Sequence, residues 1–148
     1  MIVNSEQIER FLISVDGLFP IPLSEKQDLR ELSKKFFDRA TLITETEGDE
    51  IVAMVAGYTE NVVDNIGYIS VVATLPRVQG RGYASSLVRG FLESAKLKGL
   101  RAVHLYTDAT NLGAIRMYEK IGFVRYDAPN EPRPDDVHLI YNFTEDKE

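Results

Sequence analysis

Glycines at positions 80 and 82 lie between an apolar run, Val71-Val72-Ala73-Thr74-Leu75, and an amphipathic stretch that begins at Tyr83-Ala84-Ser85. A strand that runs through a glycine turn into a helix leaves the first backbone N–H groups of that helix without internal partners. Such groups, at the positive end of the helix dipole, suit a phosphate. Gln79-Gly80-Arg81-Gly82-Tyr83-Ala84 matches neither G-x-G-x-x-G nor G-x-x-x-x-G-K-[ST], which disfavours dinucleotide and P-loop binding. A second block, Asn111-Leu112-Gly113-Ala114-Ile115-Arg116-Met117-Tyr118-Glu119-Lys120-Ile121-Gly122-Phe123, places a phenol on a short helix behind a capping Asn. A phenol can donate a proton or a hydrogen bond, so this position could carry chemistry. Leu112, Ile115, Tyr118 and Ile121 also share one helical face, so Tyr118 reads as well as a core aromatic.

Gln79, Gly82 and Ala84 occupy the defined positions of Q/R-x-x-G-x-G/A, and the run resembles the coenzyme A-binding motif of the GNAT superfamily of N-acetyltransferases. The second block resembles the N-x-x-A-x-x-x-Y-x-x-x-G-F element of the same superfamily, and the order and separation of the two agree. The resemblance covers residues 50 to 126, about half of the chain. It implies an α+β fold: a mixed, mostly antiparallel sheet of about six strands with flanking helices. In that fold two parallel strands splay apart and admit the pantetheine arm of acetyl-CoA. The strand edge at Val72, Ala73 and Thr74 is then implied to hydrogen-bond the pantetheine amides. Gln79, Gly80, Arg81, Gly82, Tyr83, Ala84 and Ser85 are implied to hold the phosphates, and Asn111 to touch the cofactor while capping its helix. Tyr118 is implied to lie near the sulfur as proton donor to the departing thiolate, and no metal is called for. Two departures are visible: Gln79 stands where Arg is more usual, and Met1-Ile2-Val3 leaves little room for a first strand.

With 148 residues the chain fits a single domain spanning residues 1–148. It has no cysteine, which excludes a thiol acyl-enzyme and thiolate metal sites. A formal charge of -6 and a pI near 5.0 argue against nucleic-acid binding. The start lacks a basic segment followed by an apolar core, and no run is apolar for long enough to span a bilayer, so a soluble cytoplasmic protein without membrane association is expected. A homodimer stays open. Residues 77 to 101 form a basic island of Arg77, Arg81, Arg89, Lys96, Lys98 and Arg101 against Glu93 alone. Arg77 and Arg81, on the loop, are expected to attract phosphate, whereas Lys96 and Lys98 read as solvated helix surface.

Ile8, Phe11, Leu12 and Val15 mark a first helix after Asn4 and Ser5. Ser24-Glu25-Lys26-Gln27 reads as a capping box for a second, with Leu29, Leu32 and Phe36 on one face. Thr41 to Thr46 and Glu50 to Tyr58 form a hairpin, and Tyr68 to Thr74 adds a third strand, bulged around Val72 to Thr74. A long helix ends before Gly99; Arg101 to Thr107 is a strand, Leu112 to Ile121 a helix, and Phe123 to Tyr126 with Val137 to Phe143 two closing strands. Pro129-Asn130-Glu131-Pro132-Arg133-Pro134 is an extended loop. The strand-helix-strand unit from 68 to 107 requires a parallel pair joined by a right-handed crossover.

The expected chemistry is direct attack of a neutral amine on the thioester in a ternary complex. Its acceptor is a primary amine of a small molecule, an amino sugar or a peptide N-terminus. The rival is a non-catalytic acyl-CoA-binding or regulatory module. No acid occurs in Asn65-Ile66-Gly67-Tyr68-Ile69-Ser70 to serve as base; Asp64, Tyr68, Ser70, His104, Tyr106, Asp108 and His138 are the groups placed to do so. Acceptor contacts are expected from the first two helices with Phe19 to Leu23, from Thr59 to Asn65 and from Asp127 to His138, and Glu60, Asp64, Asp127, Glu131, Asp135 and Asp136 in these loops offer negative charge.

Overall fold

Between Glu50 and Tyr58 the chain is apolar almost without a break, the pattern of a strand covered on both faces. A computed structural model describes residues 3–128 and 131–143 and places this segment inside the sheet. The strands are β1 (Thr41–Glu47), β2 (Glu50–Tyr58), β3 (Ile66–Thr74), β4 (Ala102–Asp108), β5 (Val124–Arg125) and β6 (Asp136–Asn142), in the order β1-β2-β3-β4-β6-β5. Helices α1 (Ser5–Val15) and α2 (Leu29–Arg39) cover one face, and α3 (Tyr83–Leu97) and α4 (Leu112–Ile121) cover the other. Val52, Met54 and Ala56 pack with Ile8, Leu12 and Phe36 on the first side; Ala53 and Val55 pack with Val88 and Phe91 on the second. Burying a side chain such as Phe91 stabilises the fold by roughly 1.5–3 kcal/mol.

All neighbours are antiparallel except β3 and β4. Their pairing runs from Ile66↔Ala102 to Ile69↔Leu105 and then stops, although β3 continues to Thr74 and β4 to Asp108. The expected splayed parallel pair is therefore present, and it opens beyond Ile69.

The bulge in β3 lies earlier than Val72 to Thr74. Ala56 faces Val71 and Gly57 faces Ile69, so Ser70 is the extra residue. Its effect is seen in packing: Ile69 belongs to the α3 side and Val71 to the α1–α2 side, whereas two residues apart in a regular strand share a face. The partner strand has a reason to bend there. A Cβ on Gly57 would lie 2.4 Å from the Tyr68 carbonyl oxygen and 2.6 Å from Phe91 Cζ, so α3 presses its ring onto bare backbone.

The predicted capping box at Ser24 does not form. Asp28, one residue before the Leu29-Leu32-Phe36 stripe, caps α2 by accepting from Glu31 N–H at 3.0 Å. Ser24 instead donates to Asp16 at 2.6 Å, which ties down the segment between α1 and α2. A capping box does occur at α1, between Asn4 and Gln7. Met1, Ile2, Pro129 and Asn130 lie outside the described residues, so the expectations for a first strand and for the start of the proline-rich loop are not judged there.

Candidate active site

Helix α3 differs from the other three at its start. Asn4, Asp28 and Asn111 cap α1, α2 and α4 with their side chains, while Gly82 precedes α3 with no side-chain cap. The helix's first backbone bond is Ser86 N–H to the Gly82 carbonyl, which leaves the N–H groups of Tyr83, Ala84 and Ser85 free of helical partners. Gly80 and Gly82 hold φ of +84° and +81°, a left-handed backbone that glycine adopts without strain. Neither position has a protein atom within 4 Å of where a Cβ would stand. This open, uncapped turn is a cradle of the kind that suits phosphate oxygens.

From the cradle a cleft of about 640 Å³ runs along the open edge of β3. Leu75 N–H donates to Val52 on the β2 side at 2.8 Å, so alternation turns the N–H groups of Val72 and Thr74 toward the gap. Gln79 Nε2 donates to the Thr74 carbonyl at 3.2 Å and so pins the loop to that edge. The hydroxyl of Thr74 is buried without a hydrogen-bond partner among the described residues, a vacancy that a ligand amide fits. Val72, Ala73, Thr74, Gln79, Gly80, Gly82, Tyr83, Ala84, Ser85, Asn111 and Tyr118 all line this one cleft. Arg81 does not: it is exposed and lies 3.8 Å from Glu47.

Tyr118 projects from α4 to the cleft wall with only 5% of its surface exposed. Burial pushes its phenol well above the ordinary range, so it keeps its proton at working pH. Its ring meets Phe123 edge-on at 5.6 Å, which fixes its direction. Asn111 accepts from Ala114 N–H at 3.4 Å, a long cap that leaves most of the side chain exposed beside the cleft.

The cleft passes through the sheet. Ile69, Val72 and Leu105 line it on the α3–α4 side, and Ser70, Ala73 and Tyr106 do so toward α1 and α2. At this second mouth stand Leu18, Phe19, Pro20, Ile21, Leu23 and Lys26, facing Arg133 and Asp136. Behind Tyr106 lies a polar chain: its hydroxyl donates to Glu131 Oε1 at 2.6 Å, and Glu131 Oε2 meets His138 Nδ1 at 2.7 Å. His138 Nε2 meets His104 Nδ1 at 2.8 Å, and the Tyr106 and His138 rings stack at 4.2 Å. The hydrogen bond from Tyr106 holds the Glu131 carboxyl below the usual range, and burial lowers His104 from 6.5.

Residues 11–123 match the acetyltransferase (GNAT) family. The chain belongs to the GNAT family. Among curated relatives, mycothiol acetyltransferase of Renibacterium salmoninarum is 33% identical over 111 residues, 68% of this chain and 31% of that one. The mycothiol acetyltransferase of Thermomonospora curvata is 35% identical over 101 residues, 68% and 33% of the two chains. The chain thus spans about a third of the length of these relatives. Among solved structures, a GNAT-family acetyltransferase from Staphylococcus aureus superposes with a TM-score of 0.74 at 14% identity, covering 93% of this chain and 92% of that one. The PaiA N-acetyltransferase of Thermoplasma acidophilum, in complex with coenzyme A, does so at 0.71 and 14%, covering 95% and 96%.

Within this GNAT fold the basic island is dispersed rather than gathered at the cradle. Arg77 donates to Glu47 and Glu50 at 2.6 Å each, held against the β1–β2 hairpin and outside the cleft lining. Lys98 donates to Thr59 Oγ1 at 2.8 Å, and Arg101 to the Asp64 carbonyl at 2.8 Å. Those bonds also anchor the loop Thr59 to Asn65 at the far end of α3, so it does not border the cleft as expected. Of the six acidic candidates for the acceptor, Asp136 alone lines the cleft. Arg133 and Lys26 line the cleft from segments expected to meet the acceptor, whereas sequence reasoning missed Leu18 and Met117; no motif marks these, because the mouth is assembled from segments far apart in the chain. Among the described residues no group of three His, Cys, Asp or Glu could hold a metal ion, and no helix is long and apolar enough to cross a membrane.

Proposed function

We propose that this chain is an acetyl-CoA-dependent N-acetyltransferase that modifies a primary amine by direct attack in a ternary complex. One observation carries the reading: the uncapped start of α3 opens onto a cleft that follows the free edge of β3 to Tyr118 and emerges on the opposite face of the sheet. A site reached from two faces brings two substrates together without a covalent enzyme intermediate.

Tyr83, Ala84 and Ser85 N–H groups would hold the pyrophosphate, with room kept by Gly80 and Gly82; Val72 and Thr74 N–H groups would hold the pantetheine arm. Bound acetyl-CoA supplies a thioester carbonyl open to an amine and a thiolate leaving group. A backbone N–H of the splayed β3 edge faces the charge that develops on the carbonyl oxygen, a fixed dipole that needs no reorganisation. Tyr118, kept neutral by burial, gives its proton to the departing sulfur.

The acceptor enters past Leu18, Phe19, Pro20, Ile21 and Leu23. Leu18 and Ile21 stand 49% and 53% exposed there, which supports an amine that carries an apolar group. The test is thiol release from acetyl-CoA with 2-phenylethylamine, spermidine, glucosamine and a peptide with a free apolar N-terminus. Turnover with the first and last, above the other two, is the expected result. Tight acetyl-CoA binding with no amine turned over would favour the non-catalytic acyl-CoA-binding module.

A further inference from the structure

Resting on the acyl-transfer reading above, we propose that Glu131, acting through the phenol of Tyr106 and held in place by His138 and His104, accepts the proton that the amine sheds. Tyr106 is the first β4 residue beyond the last β3–β4 pair, so it stands where the sheet opens, and it lines the cleft. Its hydroxyl hydrogen is committed to Glu131 Oε1 at 2.6 Å. A phenol that donates to a carboxylate keeps its oxygen lone pairs for a donor coming from the other side, and an amine N–H is such a donor.

The step balances. As the amine N–H bond breaks, a new O–H bond forms on Tyr106, and the original Tyr106 O–H breaks to form an O–H on Glu131. The amine's own lone pair bonds the carbonyl carbon, the pair of the broken N–H stays on nitrogen, Tyr106 ends neutral as it began, and Glu131 becomes a neutral acid. Burial and the Glu131 hydrogen bond push the Tyr106 phenol far above its ordinary range, so it relays the proton and does not ionise. Glu131 is 18% exposed and can return the proton to water after each turnover.

The histidines are positioning residues. His138 grips the second carboxylate oxygen at 2.7 Å and stacks on Tyr106, and His104 bridges to His138 at 2.8 Å. Protonating His104 places positive charge near Glu131 and weakens it as a base, so turnover falls as pH drops. The other titratable or charged groups around the relay are Tyr68 beside His104, Tyr58 beyond it, Tyr126 against His138, and Arg133 over the Tyr106 ring and near Asp136.

The experiment measures thiol release with acetyl-CoA and 2-phenylethylamine across pH 5.5 to 9 for the wild type, Tyr106→Phe, Glu131→Gln and Glu131→Ala. Tyr106→Phe and Glu131→Gln are expected to lose about 100-fold in kcat with acetyl-CoA affinity unchanged. Formate should restore Glu131→Ala and leave Tyr106→Phe unaffected. Wild-type-like kcat in Glu131→Gln overturns the relay. If the wild type releases no thiol with 2-phenylethylamine or with any of the three other amines above, the acyl-transfer reading fails, and the Glu131–histidine arrangement is judged separately by ¹⁵N NMR. With two histidines in the chain, both ring-nitrogen patterns are resolved. At pH 7.5 Glu131→Gln should move both; unmoved signals overturn it.

Discussion

Replacing Tyr118 by Phe separates a catalytic phenol from a core aromatic, because the two roles move stability and turnover in different ways. The hydroxyl sits in a side chain 5% exposed, and burial alone accounts for its raised pKa, with no hydrogen bond contributing. The hydroxyl opens onto the cleft and is not among the buried side-chain atoms left without a partner, so removing it takes away no protein hydrogen bond and relieves no buried-donor cost. The ring keeps its edge-on contact with Phe123 at 5.6 Å. Thermal stability should therefore hold within about 2 °C. Loss of the proton donor to sulfur should cut kcat by about 10²-fold, about 2.7 kcal/mol of transition-state stabilisation. Acetyl-CoA affinity, set by backbone N–H groups elsewhere in the cleft, should not move. Stopped-flow thiol release, calorimetric titration and thermal unfolding on the same preparation give the three numbers. Unchanged kcat would make Tyr118 a core residue, and a parallel fall in melting temperature and activity would refute the claim that its hydroxyl is unpartnered.

Gly82→Val forces a branched residue to φ +81° and fills the phosphate room; acetyl-CoA affinity should fall about 100-fold, equivalent to one or two lost charge-assisted hydrogen bonds, read by titration. Gly57→Ala places a methyl 2.4 Å from Tyr68 O and 2.6 Å from Phe91 Cζ. It should cost about 1–3 kcal/mol in urea unfolding; an unchanged midpoint would mean that α3 can retreat. His104 has a folded pKa below its unfolded value near 6.5, so the stability tied to its neutral form is complete above that pH. That stability is lost as pH falls through the folded value. Melting temperature should drop between pH 6.5 and 5 in the wild type and less in His104→Asn, whose equal slope would place the titration elsewhere.

The strands, the four helices and the gathering of the two motifs at one cleft were legible because each rests on local signals. The period of Ile8-Phe11-Leu12-Val15, the unbroken apolar run of β2 and the two motifs around Gly82 and Tyr118 are all read within a dozen or so neighbouring residues. The bulge was misplaced because its cause is tertiary: Gly57 and Phe91, on different elements, decide that Ser70 is the extra residue. Arg77 was assigned to phosphate because loop arginines near glycines do bind it. Its carboxylate partners Glu47 and Glu50 lie on a hairpin some thirty positions earlier, and nothing local announces them. His104, Tyr106 and His138 could be named as candidate bases, but not joined to Glu131, since that contact depends on β4–β6 pairing and on the path of the chain after β5.

Thermal unfolding with acetyl-CoA, coenzyme A, NAD and ATP in parallel tests the central claim most directly. A ligand at 100 times its Kd adds about 2.7 kcal/mol to the native state, roughly 5–10 °C for a domain of this size. Shifts of that order with acetyl-CoA and coenzyme A, absent with NAD and ATP and lost in Gly82→Val, are the predicted result. No shift with either coenzyme would contradict the account, and the open turn before α3 would then be only a turn.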